Sequence, residues 1–385
     1  MENYLNKSVL ILGASELQIP AILSAKKNGI RTIVVDYDPE ATGIKYADKF
    51  YNISTLDYDG VLKVAKEENI DGIVTICSDR PMNIISKIGS ELKLNTISPE
   101  AANVATNKAA MRKALKEHNV PIPEFYIIKN FDEFDKVSNE FGYPFIVKPS
   151  DNSGSRGITL LKDDSEKLSA YKYAKDNSSD GLVLIEEYMV GKEVSVEIFV
   201  SNETIHIIQI TDKITTGPPH FVEMGHTQPT NLSLDIQNKI IDVAKKAVQA
   251  LGINVGPAHV EIKLTDDGPK IVELGARLGG DYITTDLVEL STGFDMVEAT
   301  VLTSLGINIE PTKLFNRASA IRYFSFNKFI NLNKKVISNI ERMYVNKINI
   351  NEVMSSRDRE AFFITSAENL DKLHEKISIV EDEIL

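Results

Sequence analysis

The sequence contains little of what stabilises small secreted proteins or anchors membrane proteins. Among its 385 residues there is a single cysteine, Cys77, which excludes an intramolecular disulfide and a cysteine-based zinc site. No apolar run approaches the roughly 18 residues that a membrane-spanning helix requires. The first residues include an acid and lead directly into a short strand, which differs from a secretory signal. We therefore expect a cytoplasmic protein without a membrane partner.

The charge and the composition describe an acidic, globular chain. The formal net charge at pH 7 is −12, which argues against a nucleic-acid backbone or an anionic membrane surface as the main partner. Hydrophobic residues make up 43% of the sequence and charged residues 25%, as in ordinary globular proteins. A chain of 385 residues exceeds the usual size of one domain, so we expect more than one hydrophobic core.

Strand-like and helix-like segments alternate at the start of the chain. Apolar runs predict strands at residues 8–12, 32–35 and 72–76. The segments between them predict helices at residues 18–28 and 58–68. This order indicates a βαβαβ unit with a parallel sheet, which binds ligands at the carboxyl ends of its strands, such as residues 78–80. The first turn, residues 13–16, lacks the G-x-G-x-x-G pattern, so a dinucleotide site is not expected.

The middle of the chain changes character after a helical stretch at residues 99–118. Pro121 and Pro123 follow this stretch, stop the helix and mark a domain boundary. Short strands then dominate and predict an α+β region with antiparallel hairpins, at residues 125–128, 144–148, 158–161, 182–186, 193–200 and 204–209. From about residue 311 onward, short strands such as residues 318–326 and weak helices predict a small appended domain.

A pair of acidic strands lies in the C-terminal third of the chain. Residues 259–264 and 270–274 alternate in polarity, and the DG dipeptide between them predicts a hairpin. A three-residue loop, residues 266–268, would place Glu273 opposite Glu261. Like charges that face each other across a ladder are destabilising unless a cation lies between them, and two carboxylates suit magnesium that carries phosphates. Taken alone, the motif also fits a solvated hairpin edge with one charge on each strand.

Two adjacent features predict a site for phosphate. Residues 143–149 form an apolar strand that ends in Lys148, and a buried lysine requires an anionic partner. The loop at residues 151–157 (DNSGSRG) follows at once, and the backbone N–H groups of such loops can surround phosphate oxygens. In isolation, Lys148 also fits an end-of-strand lysine that reaches solvent, and most Gly/Ser loops bind nothing.

Two further segments extend the hypothesis to a whole nucleotide. Residues 186–193 (EEYMVGKE) form an extended, acidic segment whose backbone groups suit the edge of adenine and whose last acid suits ribose hydroxyls. Residues 273–280 (ELGARLGG) place Arg277 four residues after Glu273. An arginine at that point can stabilise charge on a phosphoryl group during its transfer.

The order of these elements resembles that of the ATP-grasp superfamily. The match includes Lys108 within TNKAAMR, the lysine and loop at residues 148–157, the EEYMVGKE segment and the VEIK and ELGAR strands, and it covers roughly residues 1–310. The resemblance implies an α/β, ATP-grasp fold whose ATP-grasp domain has a metal-carboxylate subdomain and a lid at about residues 124–190. The implied domains are a Rossmann-like domain at residues 1–100, the ATP-grasp domain at residues 101–310 and a small C-terminal domain at residues 311–385.

The resemblance also implies the roles of individual residues. The cofactors are ATP and Mg²⁺, for which Mn²⁺ can substitute. The metal ligands are Glu261 and Glu273, and the catalytic residues are Arg277 and His226. The nucleotide-binding residues are Lys108, Lys148, Ser153, Gly154, Ser155, Gly157, Glu186, Glu187, Met189 and Glu193. One position departs from the pattern, because many members have an asparagine two residues after the second metal glutamate, where this chain has Gly275.

The loop at residues 215–229 (TTGPPHFVEMGHTQP), together with residues 275–280, is similar to the amino-acid ligase branch of the superfamily. This resemblance implies that His226 or His220 orients the acceptor and that Glu223 receives its ammonium group. The alternative is a packed surface loop with incidental histidines. Glu223 and His226 also suit a metal ion, but the sequence shows no third ligand, so a further metal centre is not expected there.

The expected function is that of an ATP-dependent carboxylate–amine ligase. Such an enzyme phosphorylates a carboxylate to an acyl phosphate, from which an amine displaces phosphate to form an amide-type C–N bond. Its partners are small-molecule carboxylates and amines, and the resemblance is compatible with a homodimer. One alternative is a purine-pathway ligase such as phosphoribosylglycinamide synthetase, or a carbamoyl-phosphate synthase-like enzyme. A non-catalytic ATP-sensing module is the alternative from another class.

Overall fold

Three sheets organise the computed structural model, which describes residues 4–151, 156–218, 220–324, 336, 338–345, 353 and 355–384. The first sheet is parallel, with the order β3-β2-β1-β4. Its strands are β1 (Ser8–Leu12), β2 (Arg31–Asp36), β3 (Lys49–Asn52) and β4 (Gly72–Val74). Its helices are α1 (Ile19–Lys27), α2 (Tyr58–Glu67) and α3 (Met82–Leu92). The predicted βαβαβ unit is confirmed, and β3 is an additional strand.

The helical stretch predicted at residues 99–118 is two helices, α4 (Pro99–Thr106) and α5 (Lys108–Glu117). Asn107 between them has an extended backbone, and its side chain accepts a hydrogen bond from the N–H of Ala110. An asparagine in this position caps a new helix, because it satisfies an N–H that has no partner within the first turn. The prediction of one continuous helix was therefore wrong, and the break makes Lys108 the first residue of α5.

The second sheet is antiparallel and has the order β5-β8-β6-β7. Its strands are β5 (Phe125–Ile128), β6 (Phe145–Pro149), β7 (Thr159–Leu161) and β8 (Val183–Glu187). Two helices that the sequence reading did not identify, α6 (Phe131–Phe141) and α7 (Lys167–Asp176), pack on this sheet around the buried rings of Phe134, Phe145 and Tyr171. The alternation of strands and helices here agrees with the predicted α+β character.

The third sheet is antiparallel and has the order β13-β12-β9-β10-β11-β14-β16-β15. Its strands are β9 (Lys192–Ser201), β10 (Thr204–Thr215), β11 (Glu223–Gln228), β12 (Gly256–Thr265), β13 (Gly268–Gly275), β14 (Ala318–Phe324), β15 (Arg342–Val345) and β16 (Ala361–Ala367). The remaining α-helices of the described residues are α8 (Leu234–Ala250), α9 (Val288–Thr292), α10 (Met296–Ser304) and α11 (Leu370–Ile384).

The C-terminal strands are continuous with this third sheet. Residues of β14 pair with β11, and β16 pairs with β14, so the segment after residue 311 extends the sheet that contains β12 and β13. The domain boundaries remain predictions. In the described part of the chain, no helix combines the length and the apolar character that a membrane crossing would need.

Candidate active site

The two acidic strands pair as predicted, although the turn between them is shorter and the pairing contains an irregularity. Glu261 faces Glu273 in the β12–β13 register. The turn is shorter than the predicted three-residue loop, because Thr265 pairs with Gly268 and leaves a two-residue turn. An irregularity next to Glu261 compensates, since Ile262 pairs with Ile271 and the intervening Val272 is left out of the register. Such a β-bulge shifts the register by one residue and so brings the two glutamates opposite each other.

Two lysines lie against the facing glutamates. The Nζ atom of Lys108 is 2.8 Å from Oε1 of Glu273. The Nζ atom of Lys213 is 3.2 Å from Oε1 of Glu261. The repulsion expected between the two carboxylates is therefore relieved by ammonium groups of the chain itself. Both carboxylates are partly accessible, with side-chain exposures of 24% for Glu261 and 31% for Glu273.

Lys213 is buried and was not predicted from the sequence to belong to the site. Its Nζ atom lies 2.9 Å from a carboxylate oxygen of Glu193 and 2.6 Å from one of Glu223, in addition to its contact with Glu261. Burial alone would lower the pKa of Lys213, but the carboxylates, Glu223 foremost, raise it well above its ordinary value. One lysine thus connects a predicted metal ligand to a predicted substrate residue. Its local sequence resembles that of any strand lysine and gives no signal of this role.

A buried ion pair between Glu197 and His259 lies against Glu261. Oε2 of Glu197 is 2.8 Å from Nδ1 of His259, and Nε2 of His259 is 3.4 Å from Oε1 of Glu261. Burial would lower the pKa of His259, whereas Glu197 raises it to about 9, so the imidazole is cationic near neutral pH. Glu197 also accepts a hydrogen bond from the hydroxyl of Ser195, at 2.7 Å. Burial acts to raise the pKa of Glu261, but Lys213 foremost, and then His259, hold it well below the usual range.

Lys148 is buried at the end of its strand. This agrees with the prediction of a buried lysine with an anionic partner, and not with the alternative of a lysine that reaches solvent. Its Nζ atom is 2.7 Å from Oε2 of Glu186, and Nε of Arg112 is 2.8 Å from Oε1 of the same glutamate. Burial raises the pKa of Glu186, but Arg112 and Lys148 outweigh this effect and lower it to about 2. Arg112 also donates to the carbonyl oxygens of Ile271 and Val272, at 3.2 and 2.7 Å. It therefore ties the second sheet to the bulge that aligns the facing glutamates.

We expect Glu186→Gln to lower the free energy of unfolding at pH 7 by about 3–5 kcal/mol, because it removes the anion shared by two buried cations. The pKa of Glu186 falls on folding from its ordinary 4.5 to about 2. The stabilisation is therefore fully present above pH 4.5 and is lost as the pH falls through about 2. Urea unfolding at pH values from 7 down to 3 measures the free energy of unfolding. The difference in this free energy between the wild type and the variant should decrease below pH 4.5.

The matched control for this measurement is Glu67→Gln. Glu67 is an exposed acid whose partner, Lys63, lies 3.8 Å away on the same helix, so the free energy of unfolding should change little. A Glu186→Gln variant as stable as the wild type at pH 7 would contradict the assignment.

The acidic segment after β8 is also held by lysines. Oε1 of Glu187 is 2.9 Å from Nζ of Lys270, and Oε2 of Glu193 is 3.0 Å from Nζ of Lys263. Met189 lies between these acids and is half-buried. A cavity of about 470 Å³ adjoins Glu187 and is lined by Lys116, Ile122, Pro123, Glu124, Phe125, Tyr126, Glu187 and Lys270. The segment predicted to hold adenosine thus runs beside a cavity, next to the facing glutamates.

Part of the predicted phosphate loop lies outside the described residues, namely Ser153, Gly154 and Ser155. Gly157 is described and has a φ of +80°, and a Cβ atom at this position would lie 2.9 Å from Cβ of Asn177. A glycine is therefore required where the loop returns to the second sheet.

Arg277 contacts an acid from the first sheet. Its Nε and Nη2 atoms donate to the two carboxylate oxygens of Asp79, at 2.9 and 3.0 Å. Asp79 belongs to the segment after β4, at the strand end where the sequence predicted a ligand site. Burial acts to lower the pKa of Arg277, whereas Asp79 raises it above its ordinary value, and Glu273 contributes in the same direction. The guanidinium is thus fixed close to the predicted metal ligands.

His226 lies in a cluster for which the sequence predicted only two possible metal ligands. Nε2 of His226 is 3.5 Å from Oδ2 of Asp281, and Glu223 completes a group whose ligand-type atoms all lie within 4.8 Å of one another. The expectation that no third ligand accompanies Glu223 and His226 was therefore wrong, because the fold brings Asp281 to them. Both acids already contact cations: Asp281 forms a two-point ion pair with Arg359, and Glu223 contacts Lys213.

His226 is fully buried, and among the described residues neither of its ring nitrogens has a hydrogen-bond partner. His220 is half-buried at the turn between β10 and β11. The two histidines proposed for the acceptor therefore differ in access, and His226 is the one that lies against acids.

Comparison with known proteins identifies part of this chain. Residues 141–286 match the family model described as an ATP-grasp domain. An uncharacterized protein, y4rH, of Sinorhizobium fredii is 31% identical over 228 residues, which are 58% of this chain and 47% of that protein. The chain therefore spans about half the length of this relative. The resemblance to the ATP-grasp superfamily that the order of the motifs indicated is confirmed for residues 141–286.

Two solved structures resemble the whole fold. The L-amino acid ligase from Bacillus licheniformis has a TM-score of 0.81 at 19% identity, over 98% of both chains. The phosphoribosylglycinamide synthetase from Anaerococcus prevotii has a TM-score of 0.77 at 24% identity, again over 98% of both chains. At these identities the likeness establishes the fold, and the predicted α/β, ATP-grasp architecture is confirmed.

Proposed function

We propose, from the ATP-grasp domain that this chain carries, that the protein is an ATP-dependent carboxylate–amine ligase. The observation that carries the proposal is the in-register pair of Glu261 and Glu273, together with Lys108, which contacts Glu273, and the guanidinium of Arg277, which Asp79 holds. This arrangement combines oxygen ligands for a divalent ion with cations for phosphate, which is what transfer of a phosphoryl group requires.

The residues fit a magnesium ion that arrives with a nucleotide. Glu261 and Glu273 are hard oxygen donors that face each other and remain partly accessible. When bound, magnesium neutralises phosphate charge and orients the phosphates for displacement. Lys108 and Lys148 would bind phosphate oxygens, while Glu187, Met189 and Glu193 would hold adenosine. Ser153, Gly154, Ser155 and Gly157 would surround phosphates with backbone N–H groups.

The proposed reaction has two steps. A carboxylate oxygen of the first substrate attacks the terminal phosphorus of ATP, the bond to the bridging oxygen breaks, and ADP leaves. The amine nitrogen of the second substrate then attacks the acyl carbon, loses a proton and expels phosphate. Arg277 would neutralise charge as the phosphoryl group transfers, and His226 would orient the acceptor. Exclusion of water by the second sheet would protect the acyl phosphate from hydrolysis.

The test of this proposal is chemical trapping. With a carboxylate substrate and MgATP, adding hydroxylamine should yield a hydroxamate, because an acyl phosphate reacts with this small amine and a free carboxylate does not. Amino acids and phosphorylated amines form the first substrate panel, and colorimetric detection of the hydroxamate is the readout. If ATP binds tightly and no carboxylate gives a hydroxamate, the ligase proposal fails and an ATP-sensing module is the better reading.

An amino-acid substrate is the form of the proposal that the acceptor cluster supports best. Glu223 lies beside Lys213, which also contacts Glu261, so a group bound at Glu223 would lie near the proposed metal site. Glu223 and Asp281 are both acids, which suits a substrate ammonium group.

A further inference from the structure

Position 275 lies on the same face of β13 as a proposed metal ligand. Side chains along a strand alternate between faces, so those of residues 273 and 275 point the same way. Gly275 pairs with His259 in the register, next to the pair of Leu274 and Val260. A side chain at position 275 would therefore extend toward the ion that Glu273 is proposed to hold. This is the position where many ATP-grasp proteins have an asparagine and where this chain has none.

The space beside Gly275 is filled by the ion pair of Asp79 and Arg277. A Cβ atom built on Gly275 would lie 2.8 Å from Oδ1 of Asp79 and 3.0 Å from Nε of Arg277. These atoms are hydrogen-bonded to each other at 2.9 Å, so neither can move away without breaking the pair. The glycine and the ion pair consequently depend on each other. An asparagine at this position would have to displace the aspartate, the arginine or both.

The ion pair delivers a fixed positive group to the metal ligands. Arg277 lies beside the strand that carries Glu273, because a Cβ atom at position 275 would be only 3.0 Å from its Nε atom. Asp79 holds it through two parallel hydrogen bonds, a geometry that sets both the position and the plane of the group. A rigid cation at this point can carry part of the charge neutralisation that a second metal ion would otherwise supply.

We propose that Asp79 is a positioning residue for Arg277, and that the site uses one divalent ion together with this guanidinium in place of two ions. The proposal rests on the proposed function, because it assumes that Glu261 and Glu273 hold magnesium with ATP. The segment after β4 would then contribute to phosphoryl transfer through Asp79, which acts by way of Arg277.

The first test counts the ions. Paramagnetic resonance of Mn²⁺, titrated into the 385-residue protein with a saturating non-hydrolysable ATP analogue, should give about one tightly bound ion per chain. The double variant Asp79→Ala with Gly275→Asn removes the nearer obstructing group, frees Arg277 to move away and introduces the asparagine, so it should gain a second ion. Two tightly bound ions in the wild type would overturn the proposal. Because this measurement needs no acceptor, an absence of any nucleotide-dependent Mn²⁺ binding would instead remove the proposed function.

The second test separates positioning from general support of the structure. Asp79→Asn should lower kcat by about tenfold to a hundredfold, because misplacement of a catalytic group by an ångström has effects of this size. The KM for ATP and the Mn²⁺ count should remain unchanged. In an Arg277→Ala background, Asp79→Asn should have no further effect on kcat, since the group that it positions is absent. Losses of kcat that multiply in the double variant would overturn the positioning role.

Discussion

Replacing Glu273 by glutamine is expected to lower ATP turnover by roughly three powers of ten or more, because one of the two proposed metal ligands loses its charge. The readout is phosphate release at saturating MgATP with a carboxylate that gives a hydroxamate in the wild type. The matched control is Glu368→Gln, which makes the same change at an exposed glutamate paired with Lys372 on the surface. Turnover close to that of the wild type in the Glu273→Gln variant would contradict the metal assignment.

The effect of this substitution on stability differs from what two facing carboxylates alone would suggest. If repulsion were unrelieved, removing one charge would stabilise the protein. Glu273, however, is paired with Lys108, so the substitution removes an attraction as well. Because Glu273 is partly exposed, the expected result is a loss of about 1 kcal/mol or less in the free energy of unfolding. An inactive but folded variant would therefore report on the site itself.

Replacing Arg277 by alanine should lower kcat by roughly two to four powers of ten, with a smaller change in affinity for ATP. The reason is that its charge acts on the phosphoryl group during transfer, while adenosine and the other phosphate contacts remain. Steady-state kinetics together with equilibrium binding of an ATP analogue would separate the two quantities. Arg31→Ala is the control, since Arg31 also forms an arginine–carboxylate pair, with Glu68, but at an exposed position. Equal losses in kcat and in ATP affinity would contradict this role.

The local features of the site could be predicted from the sequence because they depend on strand periodicity. Alternation together with an assumed three-residue loop predicted that Glu261 and Glu273 face each other, and the apolar run before Lys148 requires the buried partner that Glu186 provides. The bulge at Val272 could not be predicted, since it compensates for a turn that is one residue shorter than expected. The break at Asn107 could have been predicted, because asparagine favours helix N-caps. The helical pattern on both sides of it obscured this preference.

The unpredicted parts of the site are contacts between residues far apart in sequence. Asp79 and Arg277 follow strands of two different sheets, and Lys213 reaches Glu261 from a strand that is not adjacent to β12. Asp281 meets His226 only because the chain after β13 returns past β11. No periodicity encodes such contacts, because each depends on how strands are ordered in the sheet and not on the sequence around either partner.

Strand β11 pairs with β14, which is synthesised well after it. This order affects how the protein folds during synthesis. His226 pairs with Ile321 and Gly225 with Arg322, so one side of β11 is completed only by residues near the end of the chain. During synthesis, a nascent chain that stops short of residue 318 would expose β11 as an open sheet edge. Such edges attract other chains, and protection by chaperones matters most at that stage. The strand with the proposed acceptor residues is thus enclosed only after β14 has been synthesised, about 90 residues later.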